Sequence, residues 1–216
     1  MHYIEFVGIA AFAICGAMAA IDKGADIFGV LFLAVITALG GGVIRDILLG
    51  WLPPRMFTSI DYIVVALISA LAIFLPAYIK GEVYWRRREK IDQIVNVFDA
   101  LGLAAFTVSG MDLAIAQRGL DEPFLLVMLG MTTGVGGGML RDMLISVMPA
   151  VLRKRIYAVA SVAGGSLYYV LLRLGMRAGW AAVIAMSLIF GLRILATIYK
   201  WTLPRVKAPE KAEDKS

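Results

Sequence analysis

The chain alternates long apolar runs with short polar connections, and the runs fall near 3–21, 27–50, 60–79, 95–116, 123–145, 156–174 and 180–199. About 20 predominantly apolar residues suffice for a helix to cross the ~30 Å hydrocarbon core of a bilayer. The pattern therefore predicts an all-α polytopic membrane protein with seven transmembrane helices. The first run has no basic residue ahead of it, and its opening residues Glu5, Gly8, Phe12 and Gly16 belong to a pattern that returns later in the chain. It is expected to stay as a helix and not to be a cleaved leader.

The polar positions set an orientation. Lys and Arg collect after the third span (Lys80, Arg86, Arg87, Arg88, Lys90), after the fifth (Arg153, Lys154, Arg155) and in the tail (Lys200, Arg205, Lys207, Lys211, Lys215). With seven spans these segments share one side, and the opposite connections hold only Arg55, Arg118, Arg173 and Arg177. Positively charged loops stay cytoplasmic. The expected arrangement is an inner-membrane protein with its N-terminus outside and its C-terminus in the cytoplasm.

Composition agrees with a lipid environment. Of 216 residues, 61% are hydrophobic and 17% charged, against roughly 45–50% and 25% in soluble domains. The net charge of +5 is carried in short inter-span segments, so membrane lipid is expected as a neighbour and nucleic acid is not. Cys15 is the single cysteine and His2 the single histidine. An intramolecular disulfide and a multi-histidine metal site are therefore excluded, and Cys15 is expected to be a small buried hydrophobe.

A seven-residue string occurs twice, as Gly40-Gly41-Gly42-Val43-Ile44-Arg45-Asp46 and, 96 residues later, as Gly136-Gly137-Gly138-Met139-Leu140-Arg141-Asp142. The match extends outward. Gly8 to Gly16 aligns with Gly102 to Gly110 at an offset of 94, Lys23-Gly24 with Arg118-Gly119 at 95, and Leu52-Pro53 with Met148-Pro149 at 96. The expected organisation is a first three-helix repeat over 1–80, a basic cytoplasmic loop over 81–94, a second repeat over 95–175, a seventh helix over 176–203 and a disordered tail over 204–216. Three is odd, so the second repeat enters the membrane from the other side and the two are inverted.

Glycine weakens a helix interior, and an ionisable pair at membrane depth needs partners or water. Gly40, Gly41, Gly42, Gly136, Gly137 and Gly138 are expected to break or kink the second and fifth helices along a shared pathway, with Arg45, Asp46, Arg141 and Asp142 as pore or gating charges. Neighbouring side chains on a helix point ~100° apart, so each arginine and aspartate is expected to pair with another helix, with Asp22, Asp99 and Asp112 as candidate partners. Two plainer readings compete: the glycines could serve close helix packing, and the arginines could mark helix ends and reach the headgroups.

Two three-helix repeats with Gly-Gly-Gly-x-x-Arg-Asp in the second helix of each, followed by a seventh helix, resemble the bacterial branch of the trimeric intracellular cation (TRIC) channel family, which overlaps the glycine-transporter-domain (UPF0126) family. The resemblance covers roughly residues 3–200. It implies a homotrimer with a hydrophilic pore inside each protomer, kinks at both glycine strings, and passage of monovalent cations, chiefly potassium. The Lys-Glu-Val motif of the animal channels is absent from the first repeat.

Two function classes follow: a potassium-permeable channel, and a secondary transporter for glycine or another small solute. An enzyme is not expected, nor a cofactor or bound metal. No nucleophile and base arrangement stands out, and the glycine strings lack the Gly-Lys-Ser/Thr that a phosphate-binding loop requires.

Overall fold

A computed structural model of the chain describes residues 2–79, 81, 88–153 and 156–201. Among these residues the regular structure is helical: α1 (His2–Asp22), α2 (Ile27–Leu48), α3 (Arg55–Thr58), α4 (Ile60–Ile79), α5 (Arg88–Arg118), α6 (Pro123–Leu144), α7 (Ala150–Arg153), α8 (Ala158–Arg173) and α9 (Ala178–Ile198). Six of them, α1, α2, α4, α5, α6 and α9, are long and apolar enough to cross a membrane. The run expected near 156–174 forms α8, which is apolar but shorter, at 16 residues.

Local chemistry accounts for the helix ends. The Asp26 carboxylate accepts the Gly29 amide at 2.8 Å and caps α2, whereas α6 starts on Pro123, whose missing N–H costs nothing in a first turn. After α1 and α5 the chain turns through Gly24 and Gly119 at φ 73° and 74°, left-handed values that glycine adopts without a Cβ clash. Helix α5 begins at Arg88, so residues 88–94 of the segment expected as a basic loop are helical. Lys80, Arg86, Arg87, Lys154, Arg155 and the tail expected over 204–216 lie outside the described residues.

Helices α1, α2, α5 and α6 form the centre. Helix α1 packs on α2 and α5, and α6 packs on α2 and α5. Helix α4 covers α1 and α2, while α8 covers α5 and α6. The last helix, α9, joins α5 and α8. At the middle, Phe12 and Phe106 are both buried, with ring centroids 5.2 Å apart. Gly8 lies against Phe106 and Gly102 against Phe12. These contacts fix α1 and α5 as antiparallel, and place Glu5 and Asp99 toward opposite ends of the bundle.

The triple glycines do not interrupt their helices. Helical structure runs unbroken from Ile27 to Leu48 and from Pro123 to Leu144. The glycines instead let the two backbones touch. A Cβ on Gly41 would meet the Thr133 carbonyl oxygen, and one on Gly137 would meet the Thr37 carbonyl oxygen, both under 3.0 Å. Small residues permit such an approach, and tight packing is the main attraction between helices in lipid.

Candidate functional site

The two Arg-Asp pairs are the centres of two buried polar clusters. In the first, Arg45 and Asp46 end α2, and their side chains are 1% and 0% exposed. Arg45 Nη1 reaches Glu5 Oε1 of α1 at 3.3 Å. Tyr62 of α4 donates its hydroxyl to Glu5 Oε2 at 2.7 Å. The second Asp46 oxygen accepts the backbone amide of Arg55, the first residue of α3, at 2.8 Å.

The second cluster repeats the plan. Arg141 Nη1 meets Asp99 Oδ1 of α5 at 3.2 Å, Tyr157 donates to Asp99 Oδ1 at 3.2 Å, and Asp142 Oδ2 accepts the amide of Ala150, the first residue of α7, at 2.7 Å. A further residue enters here. Arg193 of α9 donates Nη2 to Asp99 Oδ2 at 3.0 Å and stacks over the Tyr157 ring with its guanidinium carbon 4.5 Å from the centroid.

The arginines reach another helix through Glu5 and Asp99 and bond their sequence neighbours as well. Arg45 Nε donates to Asp46 Oδ1 at 2.8 Å, and Arg141 Nε to Asp142 Oδ1 at 2.9 Å, so the adjacent residues do bond each other. The guanidinium stem is long enough to curl back, and its five donors in a planar fork serve the neighbouring aspartate and a second helix together.

Of the three candidate partners, Asp99 binds Arg141. Asp22 lines a cavity of about 290 Å³ together with Lys23, Arg141, Asp142, Val147 and Ala150. Asp112 accepts the Tyr168 hydroxyl of α8, and no arginine bond to it occurs among the described residues. Cys15 is buried, and its thiol faces the Val95 carbonyl oxygen at 3.4 Å.

The remaining glycines divide by role. Gly42 faces Met56 and Gly138 faces the Tyr157 hydroxyl, so each closes its helix onto the element that follows. Gly40 and Gly136 lie against Leu140 and Ile44, the branched residues of the opposite string.

Buried ions are costly to desolvate and persist where partners satisfy them. Arg45 and Arg141 each have two carboxylates within hydrogen-bonding reach, so neither presents an uncompensated positive charge. The two clusters are not equal in charge. Among the described residues, the first holds Arg45 against Glu5 and Asp46, while the second holds Arg141 and Arg193 against Asp99 and Asp142.

Glu5, Tyr62, Tyr157 and Arg193 are the site members that motif reading overlooked. The signals were present in part. Glu5 stands 94 residues before Asp99, the same offset that aligns Gly8 with Gly102. Arg193 is a lone cation inside an apolar run, which marks a functional or structural site in lipid.

Comparison with known proteins agrees with this architecture. The family profile described as Glycine transporter matches residues 2–77 and 96–173. An inner membrane protein of Escherichia coli K12, YadS of the UPF0126 group, is 39% identical over 167 residues, spanning 76% of this chain and 75% of that one. YvgT of Bacillus subtilis, a UPF0126 membrane protein, is 32% identical across 93% of this chain and 94% of its own.

Among solved structures, one reporting the structural basis for conductance through TRIC cation channels is 36% identical, with a TM-score of 0.82 and coverage of 97% of this chain and 98% of that one. A prokaryotic TRIC channel in 0.5 M KCl is 34% identical, with a TM-score of 0.83 and coverage of 94% and 98%. On the repeated glycine strings, the paired clusters and these similarities, the chain belongs to the glycine transporter (UPF0126) family of membrane proteins, whose fold here is that of the bacterial TRIC channels.

Proposed function

We propose that the chain is a channel for monovalent cations, potassium among them, with one pore inside each protomer of a homotrimer. The observation that carries this reading is the similarity to TRIC cation channels over nearly the full length of both chains. The paired arginines support it, because carboxylates offset their charge at both ends of the four-helix centre. Helix α8 counts as the seventh span, and the antiparallel packing of α1 on α5 and of α2 on α6 supports inverted repeats. In this arrangement the N-terminus is outside, and the cavity beside Asp22 and Arg141 opens to the cytoplasm.

In this reading α2 and α6 line the pore and flex at their glycine strings, while Arg45, Asp46, Arg141 and Asp142 shape the field at its two ends. A rearrangement that parts either arginine from its carboxylates exposes charge to the path, which makes the clusters the natural place for gating. The family description naming glycine gives the second reading, a carrier for that solute.

Efflux from liposomes holding the purified protein distinguishes the two. The channel predicts rapid collapse of a potassium gradient with no effect of glycine. Saturable glycine uptake without potassium leakage favours the carrier.

A further inference from the structure

Two oxygens on one face of α5 lack the partners that buried polar groups ordinarily have. Ser109 is 2% exposed, and Asp112 follows one helical turn later on the same face. Ser109 Oγ and Asp112 Oδ2 are both buried without a hydrogen-bond partner. The other Asp112 oxygen accepts the hydroxyl of Tyr168, itself fully buried. That bond holds the carboxylate against α8 and leaves Oδ2 to meet something else. Among the described residues no lysine or arginine forms an ion pair with Asp112.

The packing register locates this pair. With Gly8 beside Phe106 and Phe12 beside Gly102, the antiparallel α1 and α5 bring Ser109 to the level of Glu5, with Asp112 one turn nearer the start of α1. Gln117 Nε2 donates to the Leu49 carbonyl oxygen at 3.2 Å, tying this end of α5 to the end of α2 that carries Arg45 and Asp46. Asp112 therefore adds a carboxylate at the Glu5 end of the bundle. The matching positions of the first repeat hold Cys15 and Met18, whose sulfurs are weak acceptors.

We infer that Asp112 Oδ2 and Ser109 Oγ form a binding site for a partly hydrated monovalent cation at the Glu5 end of the central bundle. The donor set decides the ion class. One carboxylate oxygen and one hydroxyl leave most of the coordination to water, whereas calcium takes six to eight oxygens, several of them from carboxylates. No group of three or more His, Cys, Asp or Glu suited to a metal occurs among the described residues. The inference rests on the channel reading only for its purpose, which is to concentrate cations at one mouth of the pore and to discriminate against anions there.

The test is equilibrium binding of radioactive rubidium to the purified full chain, run beside bilayer recordings of the same preparations. Wild type binds saturably, Asp112→Asn weakens binding by about tenfold or more through loss of the charge, and Ser109→Ala weakens it by a smaller factor. If Asp112→Asn does not accumulate, Ser109→Ala carries the prediction, since it leaves the Asp112 and Tyr168 pair in place. Absence of saturable binding to wild type, or equal binding by wild type and the variants, overturns the site. Binding lost in Asp112→Asn by a protein that carries no current upholds the site and overturns the channel. Current with unchanged potassium-over-chloride selectivity and unchanged rubidium binding in Asp112→Asn upholds the channel and overturns the site.

Discussion

Arg193 on the last helix donates to Asp99, 94 positions earlier in the chain, at 3.0 Å, and joins a cluster whose counterpart around Glu5 has no such second arginine among the described residues. The contact fastens the helix outside the duplication to the second repeat. Replacing Arg193 with methionine keeps the apolar stem and leaves Arg141 alone against two aspartates. The expected loss is about 3 kcal/mol, within the range for breaking a buried ion pair, and a fall in detergent melting temperature of roughly 6–12 °C. Arg193→Lys restores only part, because an ammonium lacks the planar fork that both bonds Asp99 and stacks on Tyr157. A melting temperature unchanged in Arg193→Met contradicts this role.

The close approach of α2 and α6 gives a sharper contrast. Gly41→Ala and Gly137→Ala each push a methyl group into a backbone carbonyl that cannot swing aside. Each is expected to destabilise by about 1–3 kcal/mol, the usual cost of overpacking, and to reduce flux. Gly191 lies in α9 with nothing within 4 Å of a built Cβ. Gly191→Ala is expected to be neutral or to stabilise by up to about 1 kcal/mol through helix propensity. Equal thermal shifts for all three variants would remove the argument from packing.

These contrasts show how much the sequence disclosed. Apolar runs located the long helices because lipid imposes one length and one composition on a span. The spacing of the two strings located both polar clusters, because matched offsets put Arg45 and Arg141 at equivalent helix ends. Continuity of α2 and α6 through their glycines was not legible. Glycine permits a break and close packing alike, and the outcome depends on Thr37 and Thr133 of the facing helix. Arg193 had no counterpart to align with, and α9 meets Asp99 only in the folded chain.

The tyrosines separate the two clusters energetically. Tyr62→Phe and Tyr157→Phe each remove one hydrogen bond to a carboxylate, worth about 1.5–3 kcal/mol when the partner is charged. Asp99 keeps Arg141 and Arg193, and a phenylalanine retains the stacking beneath Arg193. Tyr157→Phe is therefore expected to cost less than Tyr62→Phe by thermal unfolding. The reverse order would mean that the Tyr157 hydroxyl does more than bond Asp99.

Arg141 and Asp142 are expected to behave as a unit. Arg141→Gln leaves Asp142 and Asp99 short of a buried cation, at a cost of about 3–5 kcal/mol, and should lower accumulation in the membrane. Adding Asp142→Asn removes one of those anions and should recover much of the loss, measured as folded protein per cell. If the double variant accumulates no better than the single, the two side chains are not coupled.

What crosses the membrane through this protein decides between a channel and a carrier. The direct measurement is recording from the purified chain in a planar bilayer under a potassium chloride gradient, with sodium and glycine substituted in turn. Discrete current steps that reverse near the potassium equilibrium potential and ignore glycine are the predicted result. Reversal near the chloride potential, or glycine transport without current steps, would contradict it.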